Sequence, residues 1–137
     1  MWIIYALLSA LFASLTAIFV KLGVQHINSD LATAIRTIIV LIMTWAIVLF
    51  RGELKLLHGI DRTSLTFLIV SGIATGLSWI FYFKAIQIGK VSQVAMIDKL
   101  SVVLTLFLAA IFIGEPLTPK VLIAMGLIIS GVLALIY

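Results

Sequence analysis

Residues 31–50 read LATAIRTIIVLIMTWAIVLF, a run whose single charge is Arg36. A helix rising 1.5 Å per residue needs about 20 apolar residues to cross a hydrocarbon core of ~30 Å. This run meets that length. Asn28-Ser29-Asp30 stands directly before it and supplies residues that can cap a helix start. The reading is a transmembrane helix, and it sets the terms for the rest of the chain.

Four more runs have the same length and character: 2–20, 64–83, 91–113 and 119–137. Asp61, Thr63 or Ser64 can cap the third span, and Thr118-Pro119 places an N-cap before a proline at the first helical position of the fifth. The chain begins Met1-Trp2-Ile3-Ile4 with no basic flank, and its first apolar run is too long for a signal-peptide core, so that run is expected to be a retained span. The longest polar stretch, RGELKLLHGIDR at 51–62, is expected to be a loop or a short helix on the interface. The expected fold is an all-α integral membrane protein of five transmembrane helices, forming one domain over residues 1–137.

Composition agrees. The chain is 64% hydrophobic and 10% charged, with mean hydropathy +1.36. Soluble domains carry about 25% charged residues. Charge this sparse cannot coat a globule, so lipid must solvate most of the surface. The chain has no cysteine, which removes disulfides, thiolate chemistry and any Cys-based metal site. The net charge of +4 sits in short loops and at helix ends, where it anchors the chain in headgroups; nucleic acid is not an expected partner.

Orientation is ambiguous. Five spans place the termini on opposite sides. Arg51, Lys55, Arg62 and Lys120 fall on the side of the N-terminus, and Lys21, Lys84 and Lys90 on the other, with Arg36 and Lys99 deeper on that second side. A lysine and arginine excess normally fixes topology, and here it is close to nil. Two arrangements stay open. One is a fixed topology with the N-terminus in the cytoplasm. The other is dual topology, with oppositely inserted copies pairing as an antiparallel homodimer that mimics an inverted repeat.

Small residues let membrane helices approach closely. Gly72 and Gly76 form a GxxxG in the third span, Ala6, Ala10 and Ser14 recur at spacing four in the first, and Gly126, Ser130 and Gly131 mark the fifth. Gly72, Gly76, Gly126 and Gly131 are expected to serve helix packing and to leave little room for a cofactor; none is expected.

Ionisable groups inside a bilayer are expensive and usually face a cavity or a partner. Arg36 lies about six residues into the second span, and Asp98 and Lys99 about eight into the fourth. Both spans start on the same side, so the groups should reach similar depth, roughly 8–13 Å from that surface. An Arg36–Asp98 pair is one expectation. Asp98 and Lys99 are neighbours whose side chains should diverge by ~100°. The pair could simply lock two helices, with Lys99 snorkelling outward. It could also line an electropositive pocket, with Asp98 as the proton-coupling carboxylate. Trp79 and Tyr82 are expected to shape that pocket. Gln87, Trp45 and Gln93 rank second. Trp2, Tyr5 and Tyr137 suit interfacial anchoring, and Lys21 and Lys84 suit snorkelling. His26 and His58 lack a second ligand at metal spacing, so no metal site is expected. No nucleophile–base arrangement or phosphate-cradling glycine loop occurs, and an enzyme is not expected.

Four segments carry a family resemblance: the run from Val102-Val103-Leu104-Thr105 to Phe112-Ile113-Gly114-Glu115-Pro116-Leu117-Thr118; Tyr82-Phe83-Lys84-Ala85-Ile86-Gln87-Ile88-Gly89; Ala32-Thr33-Ala34-Ile35-Arg36-Thr37; and Ile97-Asp98-Lys99-Leu100-Ser101. Together they resemble the EamA domain of the drug/metabolite transporter superfamily, across essentially the whole chain. The chain looks closest to the short members with one five-helix unit. The resemblance implies transport of small metabolites or drugs, commonly export across the cytoplasmic (inner) membrane, by alternating access around a midplane cavity. A single-unit member would build that cavity by dimerising, with itself or a paralogous chain. The first span has no counterpart to the buried carboxylate of the small multidrug members, so a titrating carboxylate here should be Asp98. In this reading Arg36 and Lys99 orient an anionic or zwitterionic substrate. A lipid-carrier flippase and a non-transporting membrane subunit are the alternatives.

Overall fold

A computed structural model describes residues 1–136. Its elements are α1 (Trp2–Gly23), α2 (Ser29–Phe50), a 3₁₀ helix (Glu53–Gly59), α3 (Arg62–Ile88), α4 (Val91–Asp98), α5 (Leu100–Phe112) and α6 (Pro119–Ile136). The five segments long and apolar enough to span a membrane are α1, α2, α3, α4 with α5, and α6. The protein is therefore an integral, multi-pass, all-α membrane protein. Tyr137 lies outside the described residues.

The helix starts follow local chemistry. The Asn28 side chain accepts from the backbone N–H of Asp30 at 2.8 Å and of Leu31 at 3.4 Å, capping α2. Asp61 Oδ2 accepts from the Ser64 N–H at 3.0 Å at the head of α3. Thr118 Oγ1 accepts from the Val121 N–H at 3.4 Å, and Pro119 opens α6.

Two boundaries differ from expectation. The third span was placed at 64–83, but α3 continues to Ile88. Lys84 does not end it, because the carbonyls of that last turn find a donor from α1, as described below. At 27 residues α3 is about 40 Å long, longer than the ~30 Å hydrocarbon core. The fourth span, expected to be continuous from 91 to 113, breaks at Lys99. There the Lys99 N–H donates to Met96 O at 3.1 Å and the Val102 N–H to Lys99 O at 3.0 Å. Both are i→i−3 bonds, the tighter 3₁₀ pattern, in a stretch with neither proline nor glycine.

Gly114 ends the α5 exit with φ 76°. The Ile113 N–H returns to Ala109 O at 3.0 Å and the Glu115 N–H to the same oxygen at 3.3 Å. The Gly-Glu pair is thus a left-handed turn that a side chain at position 114 would strain.

The chain forms two compact units. One comprises Phe19–Gln87, and the other Met1–Ile18 with Ile88–Tyr137. In the first, burial gathers at one end: Val20, Val24, Phe83 and Ile86 are the buried apolar residues and Ser29 and Thr33 the buried polar ones. These lie at the end of α1, the start of α2 and the end of α3. In the second unit α6 packs against both α4 and α5, and Val132 is buried. A Cβ built on Gly131 would meet Met96 Cε at 3.5 Å, an ordinary contact between α6 and α4. A Cβ on Gly72, Gly76 or Gly126 meets no described atom within 4 Å. Large apolar side chains such as Phe50, at 92% exposure, and Phe112, at 80%, lie outside any protein core. They make sense only against lipid or a partner chain.

Candidate functional site

Within Phe19–Gln87, Ser29, Thr33 and Arg36 occupy positions i, i+4 and i+7 of α2, one helical face. The first two are buried and Arg36 is half-buried. Arg36 stands seven residues past the start of α2, about 10 Å along its axis. Trp79 and Phe83 stand at i and i+4 of α3 and present their rings to it. The Arg36 Cζ lies 4.5 Å from the Trp79 ring centroid and 5.3 Å from that of Phe83. The Tyr82 phenol is close enough to act on the same charge.

This is a cation–π cradle. Ring quadrupoles attract a guanidinium by about 2 kcal/mol when the pair is desolvated. They do not neutralise it. No carboxylate of the described residues in the same unit forms an ion pair with Arg36. The arrangement therefore holds a formal positive charge at a defined depth in a span, with its planar fork intact for bidentate contact with a carboxylate or phosphate.

Asp98 and Lys99 belong to the other unit, at the break between α4 and α5. Their side chains were expected to diverge. Instead the Lys99 Nζ lies 3.9 Å from Asp98 Oδ2. A 3₁₀ turn holds consecutive side chains about 120° apart, against about 100° in an α-helix, so the turn does not draw the two together; the reach of the flexible four-carbon lysine stem does. Both side chains keep large exposure, 57% for Lys99 and 41% for Asp98, so the pair is loose. The unit presents adjacent opposite charges at an interruption of a membrane span. Interruptions of this kind are tolerated in bilayers where they line a cavity or are covered by protein.

Three residues have roles the sequence reading missed. Lys21, expected to snorkel, donates from Nζ to Ile86 O at 2.8 Å and Gln87 O at 3.3 Å, the last carbonyls of α3. A lysine at a helix C-terminus satisfies orphan carbonyls and opposes the helix dipole. Gln87, ranked second for a pocket, donates from Nε2 to Val24 O at 2.9 Å and Ile27 O at 2.8 Å. It closes the α1–α2 connection. Phe83 is a wall of the Arg36 cradle, and its spacing of four from Trp79 was the available signal.

The model of the EamA-like transporter family matches residues 1–137. A Sinorhizobium protein described as an uncharacterized transporter in the cobO 3' region is 43% identical over 134 residues, covering 98% of this chain and 95% of its own length. No solved structure matches significantly. A match along the full length, joined to five membrane-length helical segments, is decisive: the chain belongs to the EamA-like transporter family.

Proposed function

We propose that the protein exports a small anionic or zwitterionic metabolite across the cytoplasmic membrane, working as a dimer by alternating access. The observation that carries this reading is Arg36: a cation inside a span, braced on Trp79 and Phe83, with no carboxylate of its own unit paired to it. An electropositive site inside a span selects a negatively charged group, since leaving such a charge unpaired in a membrane is costly. Tyr82 adds a phenol beside the bound group. Asp98 carries the coupling proton, and Lys99, 3.9 Å away, is its counter-charge. The partner is a second copy or a paralogous chain, and rocking of helices around the shared cavity exposes it to each side in turn.

The test uses proteoliposomes loaded with a mixture of amino acids and small carboxylic acids under an imposed pH gradient. The wild-type protein should release a defined subset. Arg36→Gln should abolish that release while keeping native helicity and elution. Asp98→Asn should retain binding and lose its response to the gradient. Unchanged release by Arg36→Gln would remove the anion-selective reading, and a full gradient response in Asp98→Asn would remove the proton-coupling role. Release of lipid-linked substrates alone would favour a flippase.

A further inference from the structure

The 3₁₀ helix folds back against α2, and between them lies an open cleft of about 280 Å³ lined by Thr44, Trp45, Val48, Glu53, Leu56, Leu57 and Ile60. All of these residues belong to the Phe19–Gln87 unit. Thr44, Trp45 and Val48 lie in the last turns of α2, which ends at Phe50. The cleft therefore sits within about 10 Å of the helix end, at the boundary between hydrocarbon and headgroups. Its volume falls just below the ~300–1,000 Å³ of drug-sized pockets and suits a smaller ligand.

The chemistry of the lining is one-sided. Val48, Leu56, Leu57 and Ile60 make an apolar wall. Glu53 is the sole charge, and although Arg51, Lys55 and Arg62 share its connection, none of them forms an ion pair with it. The Thr44 hydroxyl already donates to Val40 O at 2.9 Å and Leu41 O at 3.0 Å. Its proton is committed, so toward a ligand it offers an acceptor. Trp45 adds a π system that attracts cations. A carboxylate, an acceptor oxygen and an indole on an apolar wall match a ligand that donates hydrogen bonds, carries positive charge and has a short apolar body.

We propose that this cleft binds a lipophilic primary ammonium, with the ammonium on Glu53 and Thr44 and the apolar body against Trp45, Val48 and Leu57. The site is separate from the Arg36 cradle and selects the opposite charge. Two sources share this chemistry: a soluble alkylamine and the ethanolamine headgroup of a phospholipid.

The experiment compares hexylammonium, hexanol and hexanoate binding to the purified full-length chain in nanodiscs, by saturation-transfer NMR against empty discs. Hexylammonium should bind saturably, and hexanoate at least roughly tenfold more weakly, about 1.4 kcal/mol. Glu53→Gln should weaken hexylammonium about tenfold and leave hexanol unchanged. Leu57→Trp, which fills the cleft, should remove both. Nanodiscs with and without phosphatidylethanolamine separate the two sources: competition by that lipid supports the proposal with a headgroup as ligand, and saturable binding in its presence supports it with a soluble amine. Equal binding of hexanoate, or an unchanged hexylammonium affinity in Glu53→Gln, overturns the proposal. So does a preference for phosphatidylglycerol, which would assign the surface to Arg51, Lys55 and Arg62.

Discussion

The Arg36 guanidinium lies over the indole of Trp79, 4.5 Å from its centroid. If this contact fixes the cation, a double-mutant cycle should detect it without knowledge of the substrate. Trp79→Ala, Arg36→Gln and the double variant, compared by unfolding in lipid bicelles, should show a coupling of ~1–2 kcal/mol. Trp79→Phe, which keeps a ring face, should retain about half of it. Additivity of the two single substitutions would mean that the rings merely fill space.

The absence of cysteine allows a clean topology measurement. Lys55→Cys places one thiol on the exposed 3₁₀ connection. With dual insertion, about half of the molecules should react with an impermeant maleimide applied to intact cells, as the balanced loop charges imply. Labelling near zero or near completion would fix a single orientation and require an oppositely oriented partner chain or a parallel assembly.

Gly114, at φ 76°, should resist substitution although no atom crowds it. Gly114→Ala is expected to cost about 1–2 kcal/mol from left-handed backbone strain alone. Gly114→Asn should cost less, because asparagine tolerates that region. Thermal unfolding of the three proteins gives the ranking, and equal midpoints for Ala and Gly would show that the turn relaxes.

Asp61 gives a pH dependence with a definite sign. Hydrogen bonds from the Ser64 side chain and backbone hold its carboxyl below the ordinary carboxylate range. A depressed folded-state value contributes stability above the unfolded value of about 3.9 and loses it as pH falls through the folded one. The protection factor at the head of α3, the intrinsic exchange rate over the observed one at each pH, should therefore fall below about pH 4 in the wild type. It should stay flat in Asp61→Asn, which keeps a capping oxygen without the charge. Parallel pH profiles would place the titrating group elsewhere.

What the sequence disclosed follows the range of the interactions involved. The spans and the caps at Asn28, Asp61 and Thr118 were legible because hydrophobic length and side-chain-to-backbone bonds act within a few residues. The end of α3 was not, because Ile86 and Gln87 owe their carbonyl partner to Lys21, more than sixty positions away. The break at Lys99 was hidden for another reason: no glycine or proline announces it, and an adjacent Asp and Lys read as diverging on a regular helix. Arg36 was recognisable as costly in a span. That aromatic rings would brace it required knowing which helix faces α2.

The reciprocal bonds at the end of α3 have a mechanical consequence. Lys21 holds two carbonyls of α3, and Gln87 holds two of the α1–α2 connection. With α3 fastened there, any swing of the helix would pivot beside Gln87. For a helix about 40 Å long, a 10° swing moves the far end by about 7 Å and the fulcrum hardly at all. Asp61 would ride on the travelling end, while Trp79 and Phe83 sit toward the still one.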